Sequence, residues 1–366
     1  MVHAQLAERA KALIDELSAT PRFAGSEEET RARSRCRRAL EQAGFTCQEL
    51  PFTYSQWLAR WAVALISFSL GVFVFAMGLL ALSGNSSAPG LVFFAAFAAV
   101  FASGSSPTKG WVLRFPWSTA IAVNLEARRG TPTVWLVAHL DSKSQTIPML
   151  LRIAGSVSLY IAAMLVGFGG LAVLWWGSIA TPAVIIALPL AIFGALTAGL
   201  CFIGNRSPGA VDNASGVAAV LLAAQSPDAP SSLGVLITSG EELGLAGAVA
   251  WARKAPEQLV ILNCDTVDEA GAYRCMYSVQ PMRVAVAAES AAKRLGIRLK
   301  LGKMIPGIMA DSMVFSRWPN SAITLSRGTL ATLARIHTRR DNSSRLTGEG
   351  AAHASLLLSA MAKELS

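Results

Sequence analysis

Two adjacent glutamates, Glu241 and Glu242, follow a short apolar run, and a similar run ends in His139 with Asp141 two residues further on. Asp265 ends a third run of the same kind. Carboxylates and imidazoles are the side chains that proteins use to transfer protons and to bind zinc. Because open α/β sheets bind their ligands beyond the carboxyl ends of the strands, these positions predict one shared site.

Two further residues extend this set. Asp212 directly precedes a predicted helix that is rich in small residues, and His337, one of four histidines, lies in a predicted loop after a strand. With His139, Glu242 and Asp265 they supply two imidazoles and three carboxylates, a mixture that suits zinc, with cobalt or manganese as substitutes. Taken singly, each has an ordinary role as a helix cap, turn residue or loop residue. Their occurrence in five separate segments favours a metal site.

The elements that must position these residues follow a recognisable pattern. Short apolar runs bounded by turn residues or charges are typical of strands buried on both faces of a parallel sheet. Such runs occupy 133–139, 233–239, 258–264 and 321–326, and two further strands are predicted at 45–52 and 119–127. Helical stretches alternate with them, and two more helices are predicted at 4–17 and 27–43. The pattern predicts an α/β fold with a mixed, mainly parallel sheet flanked by helices.

Long apolar runs interrupt this fold. The 366-residue chain is 53% hydrophobic and only 15% charged, and its mean hydropathy is +0.45. The excess lies in four runs, 61–82, 88–102, 153–176 and 183–203. A helix needs about 20 apolar residues to cross a bilayer. The second run is marginal and could instead be a re-entrant segment or a buried helix. The runs predict two transmembrane helical hairpins inserted into one catalytic domain.

The predicted domain organisation alternates between the two parts of the chain. The catalytic domain comprises 1–56, 107–149 and 205–366, and the hairpins comprise 57–106 and 150–204. Basic residues flank the runs on one side, and lysine and arginine prefer the cytoplasmic side of a membrane; they are Arg60, Lys109, Arg114, Arg152 and Arg206. Four spans also leave all polar segments on one side. We therefore expect an integral protein of the inner or plasma membrane with a cytoplasmic catalytic domain.

Cysteine usage and charge exclude other classes of protein. The five cysteines have no metal-type spacing, which favours free thiols in a reducing compartment. The formal net charge is +9, but the basic cluster at 31–38 follows acidic residues and no nucleic-acid-binding motif accompanies it. We therefore expect no nucleic acid as a partner. The sequence leaves the oligomeric state open.

The ordered motifs resemble those of the M28 family of dinuclear zinc aminopeptidases. The resemblance is carried by the segments AHLDS, GAVDNASGVAAVL, SGEELGLAGA, LNCD and IHTRRDN, in that order, and by the N-terminal PRFAGSEEETRARSRCRRALEQAGF. It covers nearly all of the polar sequence. The segment ADSMVF around Asp311 resembles one that the family places before its last ligand.

The resemblance implies a role for each residue. Asp212 would bridge two zinc ions, and the remaining ligands would be His139, Glu242, Asp265 and His337. Glu241 would be the general base that takes a proton from water and passes it to the leaving amine. Asp141 would hold the ring of His139 in the required tautomer. The resemblance therefore implies a membrane-embedded, zinc-dependent exopeptidase of the aminopeptidase type.

The two inserted hairpins depart from the family pattern. They leave the strand-end motifs intact, and they favour a membrane-associated peptide or lipopeptide substrate. Lys143 and Gln145 follow AHLDS, and they leave open whether the specificity pocket persists. Asp268 is an alternative ligand to Asp265, which is preferred because it directly ends the apolar run. Asp311 is either a residue that supports the ligands or a helix cap.

Three other functions remain open from the sequence. The first is a non-peptidase amidohydrolase or a glutaminyl-cyclase-like enzyme of the same fold; cyclases of that kind use one zinc, whereas all five ligand positions are filled here. The second is a non-catalytic membrane receptor or assembly factor, although such proteins typically lose ligands or the general base. The third is a transporter, which the absence of Asp, Glu, Lys, Arg and His inside the apolar runs disfavours.

Overall fold

The computed structural model describes residues 2–84, 110–115, 117–172, 176–178, 180–256, 258–305, 307–316 and 320–366. The chain divides into two compact units. The first comprises 1–56, 110–144 and 205–366, and the second comprises 57–109 and 145–204. The first unit contains every predicted site residue.

An eight-stranded sheet, counted over the described residues, forms the centre of the first unit. Its strands are β1 (Thr46–Ser55), β2 (Thr119–Arg129), β3 (Val134–His139), β6 (Leu233–Thr238), β7 (Val260–Val267), β8 (Tyr273–Tyr277), β9 (Leu299–Lys303) and β10 (Ser321–Arg327). They lie side by side in the order β1-β2-β6-β3-β7-β10-β8-β9. The four central strands, β6, β3, β7 and β10, are parallel to one another. The pairs β1–β2, β2–β6 and β8–β10 are antiparallel. This confirms the predicted mixed, mainly parallel sheet.

The central strands are apolar because both of their faces are covered. Every residue of β3 and of β6 is buried. On one face Trp135 packs edge-on against Trp251, with ring centroids 4.9 Å apart. Gly234 of β6 pairs with Trp135, and a Cβ at Gly234 would lie 2.3 Å from the indole. This register therefore requires a glycine beside the tryptophan.

Helices flank the sheet. They are α1 (Val2–Leu17), α2 (Glu27–Gln42), α6 (Ser215–Ala224), α7 (Ala246–Ala252), α8 (Met282–Leu295), α9 (Leu330–Arg335) and α10 (Glu349–Leu365). All ten residues of α6 are buried, and the helix packs against β3, β7 and α10. Its alanines and Gly216 let it lie close to the strands: a Cβ at Gly216 would meet the carbonyl oxygen of Cys264 at 2.5 Å. Close packing of α6 brings the segment before it to the ends of these strands.

Strands β8 and β9 were not among the predicted elements. They pair in parallel with each other, and β9 is the last strand in the sheet order. The sequence LKLGK of β9 alternates with lysines, and none of its residues is buried. A strand at the sheet margin does not need two apolar faces, so its sequence lacks the continuous apolar run that identifies the central strands.

The second unit contains three long apolar helices, α3 (Val63–Gly84), α4 (Met149–Leu171) and α5 (Thr181–Gly199). The two-residue strands β4 (Ser144–Gln145) and β5 (Ile203–Gly204) form a separate ladder. Three described stretches, Leu58–Ser83, Met149–Leu171 and Thr181–Gly199, are long and apolar enough to cross a membrane. The second of the four predicted spans, 88–102, lies outside the described residues.

Small residues bring these helices into close contact. Helix α5 packs against both α3 and α4. A Cβ at Gly194 of α5 would lie 2.7 Å from the Cβ of Leu159 and 2.8 Å from the carbonyl oxygen of Gly155. A Cβ at Gly71 of α3 would lie 2.4 Å from the Cβ of Ala195. Such contacts are typical of helices that pack within a membrane, where close backbone approach supplies much of the association energy.

Candidate metal centre

Three of the predicted site segments lie at or near the carboxyl ends of neighbouring parallel strands. His139 is the last residue of β3, and Glu241 and Glu242 follow the end of β6 at Thr238. Asp265 differs from its prediction, because it lies within β7 rather than at its end. The regular pairing of β7 with β10 shifts after Cys264, so Asp265 stands where the ladder becomes irregular.

The other two residues come from connections. Asp212 lies in the turn Ala210–Ala214, immediately before α6, and its peptide bond to Asn213 is cis. His337 follows the short helix α9 rather than a strand, and it has a positive φ of 61°. Thr329 caps that helix by accepting a hydrogen bond from the backbone N–H of Thr332. The helix was not predicted, and it places His337 one element later than the sequence pattern indicated.

The structure brings the five predicted ligands together in two groups that share Asp212. In the first group, Nε2 of His139 lies 3.1 Å from Oδ1 of Asp212 and 3.5 Å from Oδ1 of Asp265. In the second, Nε2 of His337 lies 3.0 Å from Oδ2 of Asp212 and 3.1 Å from Oε1 of Glu242. The potential donor atoms of each group lie within 4.8 Å of one another. Each oxygen of Asp212 thus faces a different group.

The donor set fits zinc. Nε2 of His139 and Oε1 of Glu242 are buried and have no hydrogen-bond partner of good geometry among the described residues. Buried polar atoms are normally paired, so an unpaired one in each group indicates a ligand there. One imidazole nitrogen and two carboxylate oxygens in each group match the nitrogen and oxygen ligation of zinc.

Glu241 stands beside both groups but belongs to neither of them among the described residues. It is 6% exposed, as is Glu242. Burial raises the pKa of Glu241 well above its ordinary value, and the charges of Asp265 and Glu242 add to this although His139 opposes it. A carboxylate with a raised pKa has a greater tendency to accept a proton.

Asp141 makes contacts other than the predicted one. Nδ1 of His139 lies 3.1 Å from the backbone carbonyl oxygen of Asp141 and 3.7 Å from its carboxylate Oδ1. The carboxylate instead accepts hydrogen bonds from the backbone N–H groups of Glu241, at 3.2 Å, and Glu242, at 3.3 Å. Asp141 therefore supports His139 through its main chain and fixes the two glutamates through its side chain.

The histidines and carboxylates shift each other's protonation. Burial lowers the pKa of His139, but Asp265 and Glu241 outweigh it and the net pKa is well above the ordinary value. Burial likewise lowers the pKa of His337, yet Glu242 raises it overall. Burial favours the neutral form of Asp212, but its close contacts with both histidines hold its pKa well below the usual range. The protonation of each of these side chains thus depends on the charges of the others.

Two residues that the sequence did not single out hold Asp212 in place. Asn213 accepts from the N–H groups of Gly216 and Thr266, and its amide donates to the carbonyl oxygen of Cys264 at 2.9 Å. Asp341 accepts from the N–H groups of Val211 and Asp212, at 2.8 and 3.2 Å. The first set joins the turn to β7, and the second joins it to the loop after His337.

The remaining acidic candidates lie beside the groups. Asp311 is 1% exposed, and its Oδ2 accepts a hydrogen bond from Thr238 Oγ1 at the end of β6. Burial raises the pKa of Asp311 to about 7. Asp268 accepts from Thr332 Oγ1 at 2.6 Å and pairs with Arg335 at 2.8 Å, so it is turned toward α9. Among the described residues it belongs to neither group, which favours Asp265 as the ligand.

Glu29 connects the N-terminal helices to the site. One of its carboxyl oxygens accepts from the Oγ of Ser239, two residues before Glu241, and the other accepts from the N–H of Gly25 at 2.6 Å. It is fully buried. Burial, with a contribution from the charge of Asp141, raises the pKa of Glu29 from 4.5 to about 8.

We expect Glu29→Gln to remove a pH-dependent loss of stability. Between about pH 4.5 and about pH 8 the unfolded chain ionises this group and the folded chain does not. Native stability is therefore full at low pH and falls by at most about 1.4 kcal/mol per pH unit across this window. The variant should become progressively more stable than the wild type as the pH rises through it, in thermal unfolding of the detergent-purified protein. Glu28→Gln, one residue earlier and partly exposed, is the control variant. If the stability of Glu29→Gln fell with rising pH as steeply as that of the wild type, the expectation would be contradicted.

Comparison with known proteins identifies the family of the chain and solved structures with a similar fold. The sequence model of peptidase family M28 matches residues 120–362. No curated protein matches the chain significantly. Among solved structures, the aminopeptidase from Aneurinibacillus sp. strain AM-1 has a TM-score of 0.58 at 15% identity and covers 97% of this chain and 92% of its own. BSAP, a zinc aminopeptidase from Bacillus subtilis, has a TM-score of 0.58 at 14% identity, with 98% and 95% covered.

A glutaminyl cyclase has the same fold. The enzyme from Fimbriiglobus ruber has a TM-score of 0.54 at 12% identity and covers 98% of this chain and 95% of its own. At these identities the structural likeness shows the fold alone. The sequence match extends over about two thirds of the chain and includes all seven predicted site residues. The protein therefore belongs to peptidase family M28.

Proposed function

We propose that the protein is a zinc-dependent exopeptidase of the aminopeptidase type with two zinc ions in its active site. The observation that carries the proposal is the pair of buried groups that share Asp212, with Glu241 beside them and in neither. His139 and Asp265 would hold one ion, His337 and Glu242 the other, and Asp212 both. Zinc so bound supplies Lewis-acid polarisation of the scissile carbonyl and lowers the pKa of water.

The side chains of the protein would move the protons and hold the ligands. Glu241 would accept the proton of the attacking water and deliver it to the leaving amine, a transfer that typically contributes about 10²–10⁴-fold in rate. Asp141 would hold Glu241 and Glu242 in position relative to His139, because its carboxylate accepts hydrogen bonds from their backbone N–H groups. Asn213 and Asp341 would keep the Asp212 turn at the ends of the strands.

The proposal is tested by hydrolysis of a panel of aminoacyl-fluorophores with detergent-purified protein, before and after chelation and return of zinc. Activity that chelation removes and zinc restores would support the exopeptidase. A parallel assay with N-terminal glutaminyl peptides separates the cyclase alternative, since cyclisation releases ammonia and leaves the peptide bond intact. Binding of zinc without turnover of any soluble substrate would favour a lipid-borne peptide. A protein with no bound zinc and no activity would contradict the enzyme and favour a receptor or assembly factor.

We further propose that residues 57–106 and 150–204 are membrane hairpins and that the catalytic domain is cytoplasmic. Three apolar helices of sufficient length support this, as do the basic residues that flank the apolar runs. A cysteine introduced at Lys363, an exposed position on α10, reports the side of the membrane. We expect a membrane-impermeant maleimide to label Lys363→Cys only after the cells are opened. Labelling of intact cells would show that the catalytic domain lies on the outer side of the membrane. The wild-type protein, with its own five cysteines, is the background control.

A peptide substrate that is itself held at a membrane, such as a lipopeptide, fits a catalytic domain anchored in this way. We expect such substrates to lose turnover when residues 150–204 are replaced by a short linker, while soluble substrates are unaffected. An equal loss for both classes of substrate would contradict this part of the proposal.

A further inference from the structure

Lys143 is a buried cation at one of the two metal groups. It lies four residues after the end of β3 and is 7% exposed. Its Nζ lies 2.7 Å from Oε2 of Glu242 and donates a hydrogen bond to the backbone carbonyl oxygen of Glu242 at 3.1 Å. The ammonium thus contacts both the side chain and the main chain of a proposed ligand.

The contact divides the two oxygens of Glu242 between two partners. Oε2 faces Lys143, whereas Oε1 lies 3.1 Å from Nε2 of His337 and has no hydrogen-bond partner among the described residues. Only Oε1 is therefore directed toward the second group. The ion pair also neutralises charge that this carboxylate would otherwise offer to a metal ion.

Among the residues that the structure describes, the first group has no equivalent cation. Within the described residues, the ion-pair contacts of Asp265 and Asp212 are with the histidines, and no lysine or arginine lies within ion-pair distance of either carboxylate. Outside the group, Asp265 accepts a hydrogen bond from the neutral hydroxyl of Thr266 at 3.0 Å. The two groups therefore have similar donor sets and different electrostatic surroundings.

We propose that Lys143 is an internal counter-ion that makes the second group, Asp212–Glu242–His337, the weaker of two unequal zinc sites. This inference rests on the proposed two-zinc function. The ammonium repels a divalent ion bound at the same carboxylate, and it compensates the buried charge of Glu242 when no ion is there. Both effects favour the state without the second ion. A difference of about 1.4 kcal/mol already weakens binding tenfold, and two charges at about 4 Å near a protein surface interact more strongly than this.

The consequence is a site whose second ion follows the supply of zinc. One ion would stay bound at the first group at low free zinc, and the second would enter only at higher concentrations. Because turnover in the proposed mechanism uses both groups, activity would rise with free zinc in the range where the second group fills.

Equilibrium dialysis against graded free zinc, with metal content measured by atomic emission, tests the proposal. For the wild type we expect two steps, the second at least about tenfold weaker than the first. Lys143→Met, which keeps the length and removes the charge, should strengthen the second step at least about tenfold and leave the first unchanged. Lys143→Arg, which keeps the charge, should retain the weak second step. An unchanged first step also reports that each variant is folded.

Results that would overturn the proposal differ from the result that would refute the proposed function. If Lys143 only positions Glu242, Lys143→Met should weaken the second step, and that sign would overturn the proposal. Two ions bound by the wild type with equal affinity would overturn it without any variant. A wild type that binds no zinc would instead refute the proposed function, so the two failures cannot be confused.

Discussion

Glu241→Gln is expected to lower kcat by about 10³-fold without changing the zinc content of the protein. The substitution keeps the size and the hydrogen-bonding reach of the side chain and removes its ability to accept a proton. Glu241 is outside both metal groups, so zinc should bind as before. Burial and the charges of Asp265 and Glu242 raise the pKa of Glu241, and it is this capacity to hold a proton that the variant loses.

The neighbouring residue provides a matched control. Glu242→Gln makes the same chemical change one position along the chain, in a side chain that is also 6% exposed. Because Glu242 belongs to the second group, we expect this variant to lose zinc from that group and activity together. Zinc content by atomic emission and steady-state kinetics on the best substrate of the panel separate the two. Full activity in Glu241→Gln, or loss of zinc from it, would show that the two roles are assigned wrongly.

The central strands could be predicted from the sequence because a strand that is buried on both faces has a short, continuous apolar run. Strands β3 and β6 are covered on both faces, so their apolar runs are continuous and their ends are easily located. His139, Glu241 and Glu242 follow those ends and were found in this way. Asp265 followed from the same logic although β7 continues two residues beyond it. Strand β9 was not predicted, because a strand at the sheet margin is only partly covered and its sequence has no continuous apolar run.

The supporting residues could not be predicted because their partners are distant in sequence. Glu29 meets Ser239 across 210 residues, Asp341 meets Val211 across 130, and Lys143 meets Glu242 across 99. Nothing in the local pattern around Lys143 indicates that its side chain is buried against a carboxylate. A charged residue in a loop is usually solvated, so only the folded chain distinguishes this lysine from an ordinary surface residue.

Asp141 illustrates a smaller limit of sequence reasoning. Spacing alone places His139 and Asp141 on the same face of an extended chain, and the structure does bring them together. Spacing does not decide which atom of Asp141 contacts the ring. In the folded protein the carbonyl oxygen is nearer than the carboxylate, because the carboxylate is engaged by the N–H groups of Glu241 and Glu242 from a different strand end.

Removal of zinc is expected to lower the melting temperature of the protein substantially. The site buries Asp212, Glu242 and Asp265 at 6, 6 and 8% exposure, and buried carboxylates are stabilised by a bound cation. Zinc at a thousandfold excess over its Kd stabilises the native state by about 4 kcal/mol per site. For a domain of this size each kcal/mol corresponds to roughly 2–4 °C, so chelation should lower Tm by roughly 8–16 °C for one ion alone.

Asp212→Asn should abolish this dependence, because Asp212 is the residue that the two groups share. We expect its melting temperature to be the same with and without chelator and its zinc content to be near zero. Asp265→Asn, which alters the first group alone, should retain one ion and an intermediate response. Differential scanning fluorimetry in detergent, paired with metal analysis of the same samples, gives both quantities. Retention of one zinc ion by Asp212→Asn would show that Asp212 does not bridge the groups, because a shared ligand must affect both ions and an unshared one only its own.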